Sequence, residues 1–209
     1  MIKYNWPKNY FENIDSSNKA YFLGLILSDG YIHQGKTVNI KLHIKDKDIL
    51  DKFLLDLGVD NYCLKAIEDK YVLLCIGCKQ MVKDLEKYSV TQKKSFTVSL
   101  PNIDSIYMLD LIRGCWDGDG CLSRQACIIS ASEVFINQLS QYILNNYGNC
   151  FSISKQNNTY KLTLKVSGNK FLSEIYYSKC LSIDRKYNNY LLNHYKPKGL
   201  ELGDKKPLR

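Results

Sequence analysis

Two aspartates occupy matched places in a short pattern that occurs twice. Phe22-Leu23-Gly24-Leu25-Ile26-Leu27-Ser28-Asp29-Gly30 and Ile112-Arg113-Gly114-Cys115-Trp116-Asp117-Gly118-Asp119-Gly120 each put glycine third and Asp-Gly eighth and ninth. A carboxylate is a hard oxygen donor of the kind that holds Mg²⁺ or Ca²⁺. Two of them related by a repeat could hold metal against a phosphodiester, where the chemistry needs an activated water, a neutralised phosphate and help for the leaving oxygen. Asp29 and Asp119 are therefore the candidate metal ligands and catalytic acids, an outline suited to cutting two strands. The plain alternative is an Asp-Gly turn closing each helix. Against it, each carboxylate arrives at the negative end of a helix, where it is disfavoured without a cation, and such a local conflict points to function.

The elements that must position these groups repeat as well. Ser16, Ser17 or Asn18 can cap a helix over 19–28, apolar on every side and so buried on every side. A second helix spans 105–117, with Gly24 and Gly114 at matched positions where two helix backbones could approach closely. Residues 38–44 alternate apolar and polar, the pattern of a half-buried strand, with Asn39, Lys41 and His43 on its exposed face. Helices over 47–57 and 79–88 and strands near 62–67 and 71–76 complete the first half. In the second half the corresponding segments are a strand over 126–130, a helix over 133–147 ended by Gly148, and alternation over 160–166. The run from Tyr71 to Leu85 matches that from Tyr160 to Ile175, which marks a duplication. Pro101 bars helix across the connector, so the halves are expected at 1–100 and 101–195, followed by a tail at 196–209 with two prolines and five basic residues.

The motif pair resembles that of the LAGLIDADG homing endonucleases in their single-chain, two-motif form, over roughly residues 18 to 190. The resemblance implies an α+β fold of two pseudo-symmetric α-β-β-α-β-β-α halves, with the motif helices packed at the interface and saddle-shaped antiparallel sheets that accept DNA. It implies a Mg²⁺-dependent DNA endonuclease, with Mn²⁺ or Ca²⁺ able to take the metal's place in binding. Such an enzyme makes a double-strand break across the minor groove of a long, loosely palindromic target, with short 3′ overhangs. The first copy departs from the pattern, carrying Leu27 where the second carries Asp117. That residue is either a helper of the site or a cap on the opposite helix. The family also places a lysine late in each half near the active centre. Gln92-Lys93-Lys94-Ser95 and Asp184-Arg185-Lys186-Tyr187 resemble those segments, which makes Lys94 and Lys186 catalytic candidates and Lys93 and Arg185 phosphate contacts. Some relatives are RNA maturases that assist intron splicing, and others are non-cleaving DNA-binding regulators. Retention of both position-eight carboxylates favours cleavage.

Composition agrees with a polyanionic partner. The net charge of +8 over 209 residues is shared between the halves, and 45% apolar with 24% charged residues is ordinary for a globular chain. No apolar run reaches the ~20 residues of a membrane span, and the start from Met1 lacks a signal-peptide pattern, so an intracellular protein is expected. Eight cysteines could suggest zinc, yet Cys75 and Cys78 lie three apart in a strand-like run and so face opposite ways, with no second pair to complete four ligands. Base reading would fall to exposed strand faces laid in a groove. The candidates are Lys36, Asn39, Lys41 and His43 in the first half and Arg124, Gln125, Lys161, Thr163 and Lys165 in the second. Because both motifs lie in one chain, a monomer is expected. The host setting reads as free-standing or intron-encoded rather than an intein.

Overall fold

The computed structural model describes residues 5–59, 64–92 and 94–195. Its first half runs α1 (Ser17–Asp29), β1 (Gly30–His33), β2 (Thr37–His43), α2 (Lys47–Asp56), β3 (Leu64–Ile67), β4 (Tyr71–Ile76) and α3 (Lys79–Glu86). The second half repeats this order as α4 (Met108–Asp119), β5 (Gly120–Leu122), β6 (Ala126–Ser130), α5 (Glu133–Tyr147), β7 (Phe151–Gln156), β8 (Thr159–Leu164) and α6 (Asn169–Ile175), and adds α7 (Asp184–Asn193). Each half holds a four-stranded antiparallel sheet, ordered β1-β2-β4-β3 in one and β5-β6-β8-β7 in the other. This is the α+β architecture of two like halves that the sequence implies.

The two motif helices form the centre. Ser16 caps α1 by accepting the Lys19 amide, and every residue from Ala20 to Leu27 is buried. A Cβ on Gly24 would stand 2.0 Å from the Leu111 carbonyl oxygen of α4, and one on Gly114 would stand 2.0 Å from the Tyr21 carbonyl oxygen of α1. The reciprocity is that of a local twofold axis, and backbone packed this tightly offsets the roughly 1 kcal/mol that glycine costs a helix relative to alanine. Around this seam α2 turns Ile49, Leu50, Phe53 and Leu54 inward, with Phe53 stacked on Phe22 at 4.1 Å between ring centroids. In β2, Val38, Ile40 and Leu42 face the core while Lys41 and His43 face outward, so period-two alternation sets which side chains the sheet offers to a partner.

Several elements differ from the sequence expectation. Strands β1 and β5 directly follow the motif helices, and at four and three residues they are too short for alternation to declare them. β7 shows almost no burial pattern, and α7 buries only Lys186 and Tyr190. Neither therefore carries an apolar face to find. The alternating run expected to reach Val166 stops at Leu164, where Val166–Gly168 tightens into a 3-10 turn. Part of the strand expected at 62–67, Lys93 and the tail at 196–209 lie outside the described residues.

Candidate active site and nucleic-acid face

Asp29 and Asp119 are the last residues of α1 and α4, so the helix seam delivers both carboxylates to one end of the interface. The Asp29 Oδ2 atom lies against Gly118, where an added Cβ would come within 2.8 Å of it. The same Cβ would come within 2.0 Å of the Ser28 hydroxyl, so a side chain at residue 118 would push on Ser28 first and on the acid next. Asp29 is half-buried, whereas Asp119 is open to solvent by surface area although densely flanked by protein. Burial, with the Asp119 charge next in weight, pushes the Asp29 carboxyl up to about 7. Burial also raises Asp119, an effect that its contact with solvent tempers.

Two buried lysines act on this pair of acids. The Lys94 ammonium donates to the carbonyls of Leu27 at 2.6 Å and Ser28 at 2.9 Å, placing a cation on the negative end of α1. That of Lys186 donates to the Gly120 carbonyl. Burial lowers the pKa of both, and the nearby acids resist the fall. Their influence is crossed between the halves. Lys94 is the cation that most favours ionised Asp119, while Lys186 is the one that most favours ionised Asp29. Sequence spacing pairs each lysine with the acid of its own half, so the electrostatic pairing differs from that expectation.

Asp117 is engaged by the protein itself, and its charge supports the Lys186 ammonium. It is buried and accepts three hydrogen bonds, from the Tyr21 hydroxyl at 2.6 Å, the Tyr176 hydroxyl at 2.6 Å and the Ile183 amide at 2.8 Å. Tyr21 belongs to α1, and Ile183 is the residue that opens α7, so the carboxylate joins both motif helices to the start of the helix bearing Lys186. The cap on the opposite motif helix, open in the sequence, is not what forms, since Ser16 caps α1 and Asp117 instead takes the Tyr21 and Tyr176 hydroxyls and the Ile183 amide. Burial raises its pKa, and these three donors oppose the rise. The clue in the sequence is Tyr21 itself, since a tyrosine within a helix apolar on all sides requires a partner for its hydroxyl.

The proposed DNA contacts are distributed unevenly. Lys36, Lys41, His43, Arg124, Gln125 and Lys165 are exposed, and Lys161 and Thr163 are half-buried on the outer face of β8. Arg124, Gln125 and Lys165 share the wall of a cavity of about 500 Å³. Asn39, read as exposed from strand alternation, is a correction: it lies on the outward face of β2 but is only 5% exposed, covered between β1 and β4 where it is in register with Tyr31 and Cys75. Among the described residues its Oδ1 has no hydrogen-bond partner. Arg185 is exposed, but its guanidinium is engaged by the protein itself, forming a two-pronged pair with Asp46 at 2.8 and 2.7 Å. Asp46 precedes α2, so this pair, with Lys52 bonded to Asp184 at 2.7 Å, docks α7 onto the opposite half. Among the described residues no helix is long and apolar enough to cross a membrane.

The same two-half fold occurs in solved structures of low sequence identity. I-DmoI in complex with DNA and Ca superposes with a TM-score of 0.58 at 19% identity, over 86% of this chain and 98% of that one. I-WcaI bound to its DNA recognition sequence gives 0.55 at 10% identity, over 87% and 90%. The N-terminal LAGLIDADG domain of DUF199/WhiA gives 0.55 at 14% identity, over 82% and 91%. No protein-family model and no curated protein matches the sequence. The fold is thus that of the LAGLIDADG proteins, and fold alone does not select an activity.

Proposed function

We propose that the protein is a site-specific, metal-dependent DNA endonuclease that cuts both strands of a long duplex. The observation that carries this reading is the pair Asp29 and Asp119: two acids raised by burial, brought together at the ends of crossing helices and flanked by two buried lysines. A hard divalent cation relieves that accumulation of negative charge, and Mg²⁺ suits carboxylate oxygens. Among the described residues no group of three or more His, Cys, Asp or Glu side chains gathers. Two carboxylates would leave the remaining positions of such an ion to water and phosphate oxygens. Held by Asp29 and Asp119, the ion would polarise the phosphate and lower the pKa of an attacking water.

The chain's own groups do the rest. Lys94 and Lys186, with pKa values lowered by burial, can hold positive charge beside the developing phosphorane or pass a proton to the leaving oxygen. Lys41, His43, Lys161 and Thr163 on the strands, with Lys36, Arg124, Gln125 and Lys165 in the adjoining turns, would face the duplex, and the differing residues of the halves suit a target that is only loosely palindromic. The likeness to the WhiA domain keeps a second reading in view, a non-cleaving binder of the same fold. Selection from a randomised duplex library in Mg²⁺ tests the first reading and supplies a target. Asp29→Asn and Asp119→Asn should each abolish double-strand cutting while leaving binding largely intact. Lys94→Met or Lys186→Met should slow cutting without loss of metal affinity. Enrichment of bound but uncut duplexes would favour the binder.

A further inference from the structure

Outside the acid and lysine cluster, the second sheet carries a pair of thiols that the cutting reaction does not use. Cys121 of β5 and Cys127 of β6 are partners in the antiparallel register, each directly opposite the other. Opposed residues of such a ladder have Cα atoms about 4.5 or 5.5 Å apart, and both values lie within the about 4.4 to 6.8 Å that a disulfide spans. Gly120 and Leu122 face the core, so Cys121 and its partner lie on the outer face of the sheet, the side that also carries Lys161 and Thr163. Cys121 is exposed, and Cys127 lies just beneath the surface at 7%. Both are free thiols, and among the described residues no other two cysteines face each other across a ladder. The matched pair in the first half is Tyr31 and Asn39, so the feature belongs to one half only.

We propose that Cys121 and Cys127 form a redox modification site: a cross-strand dithiol, closed by exchange with a low-molecular-weight disulfide such as glutathione disulfide, that weakens duplex binding by the second half. The consequence for DNA rests on the endonuclease reading, whereas the chemistry does not. In the first step the Cys121 sulfur, its proton given to water, attacks one sulfur of glutathione disulfide, breaking that bond and releasing one glutathione. The Cys127 sulfur then attacks the Cys121 sulfur and expels the second. The protein dithiol is oxidised, the small disulfide is reduced, and the two protons end on the two glutathione thiols.

The two cysteines flank the β5–β6 turn that carries Arg124 and Gln125, so the new bond would close a ring around residues 121–127. A disulfide brings Cβ atoms to about 3.8 Å, whereas opposed strand residues hold theirs about 4.5–5.5 Å apart. Closure therefore draws the strands together and increases their twist. It also takes the Cys121 sulfur from the Ser123 hydroxyl, 3.2 Å away in the reduced form. Arg124 and Gln125 are re-aimed as a result.

The reduced full chain, treated with glutathione disulfide, should lose the mass of two hydrogens, and peptide mapping should join Cys121 to Cys127. Dithiothreitol should reverse the change, and Cys121→Ser or Cys127→Ser should prevent it. The oxidised protein should bind a long mixed-sequence duplex several-fold more weakly than the reduced protein, with affinity restored on reduction and Cys127→Ser indifferent to the treatment. Two thiols that stay free, or a glutathione adduct that persists on Cys121 alone, would overturn the proposal. So would a disulfide that leaves duplex affinity unchanged. A reduced protein that binds no duplex would sink the endonuclease reading and the effect on DNA, while the mass change would still decide the disulfide.

Discussion

Asp29 records the cost of gathering two acids, and its titration makes that cost measurable. Burial and the neighbouring Asp119 hold its carboxyl near 7 against an ordinary 3.8. In the pH window between those values the folded chain keeps a proton that the unfolded chain releases, so stability falls as pH rises. About three pKa units correspond to on the order of 4 kcal/mol. Thermal unfolding in chelator between about pH 5 and about pH 8 should show this decline, and Asp29→Asn should flatten it. Mg²⁺ should stabilise the protein more at the upper pH, where Asp29 is ionised and able to bind it. Equal Mg²⁺ stabilisation at both pH values would count against Asp29 as a ligand. Asp117 poses a different case. Its three donors make it a structural anchor, and an asparagine there must turn an amide N–H₂ toward at least one of them. The substitution should lower stability by about 1–3 kcal/mol and slow cutting through displaced Lys186. A variant with an unchanged melting temperature would contradict that role.

At the scale of elements, the helix seam determines whether the acids meet at all. Gly24→Ala or Gly114→Ala inserts a methyl group 2.0 Å from a carbonyl of the partner helix, with backbone on both sides and no side chain able to yield. Each should cost at least about 3 kcal/mol and separate the acids, which cleavage assays and calorimetry would register together. Ordinary stability in either variant would mean that the seam is looser than described. Much of this level was legible in sequence, because the motif helices show as apolar runs buried all round, while the alternating strands and the outer helices each bury one face and so leave a periodic trace. β4, β6 and α5 fall at the expected residues. What stayed hidden has a common physical cause: β1 and β5 are too short to show a period, and α7 is held by ion pairs and hydrogen bonds rather than an apolar stripe. Asn39 shows the complementary limit. Alternation names the face a strand residue occupies, but neighbouring strands decide whether that face is covered.

For the whole molecule, α7 links the halves, and Arg185 distinguishes two accounts of how they act on DNA. Sequence places Arg185 beside Lys186 as a phosphate contact, whereas the structure directs its guanidinium to Asp46 of the other half at 2.7–2.8 Å. Each phosphate contact adds close to one to the slope of log affinity against log salt, through release of condensed counterions. Duplex affinity should therefore fall steeply with salt, given a basic excess in both halves. If Arg185 acts as a strut, Arg185→Ala should leave that slope unchanged, because no phosphate partner is lost. It should instead lower the melting temperature and slow cutting, since α7 then holds Lys186 less securely near Asp29. The pair is partly open to water, so the stability loss should be modest, about 1 kcal/mol. Asp46→Ala should reproduce both effects, and the double variant should be little worse than either single one, as expected for two groups that act through one contact. A slope reduced by about one in Arg185→Ala alone, with stability intact, would return this residue to the phosphate backbone.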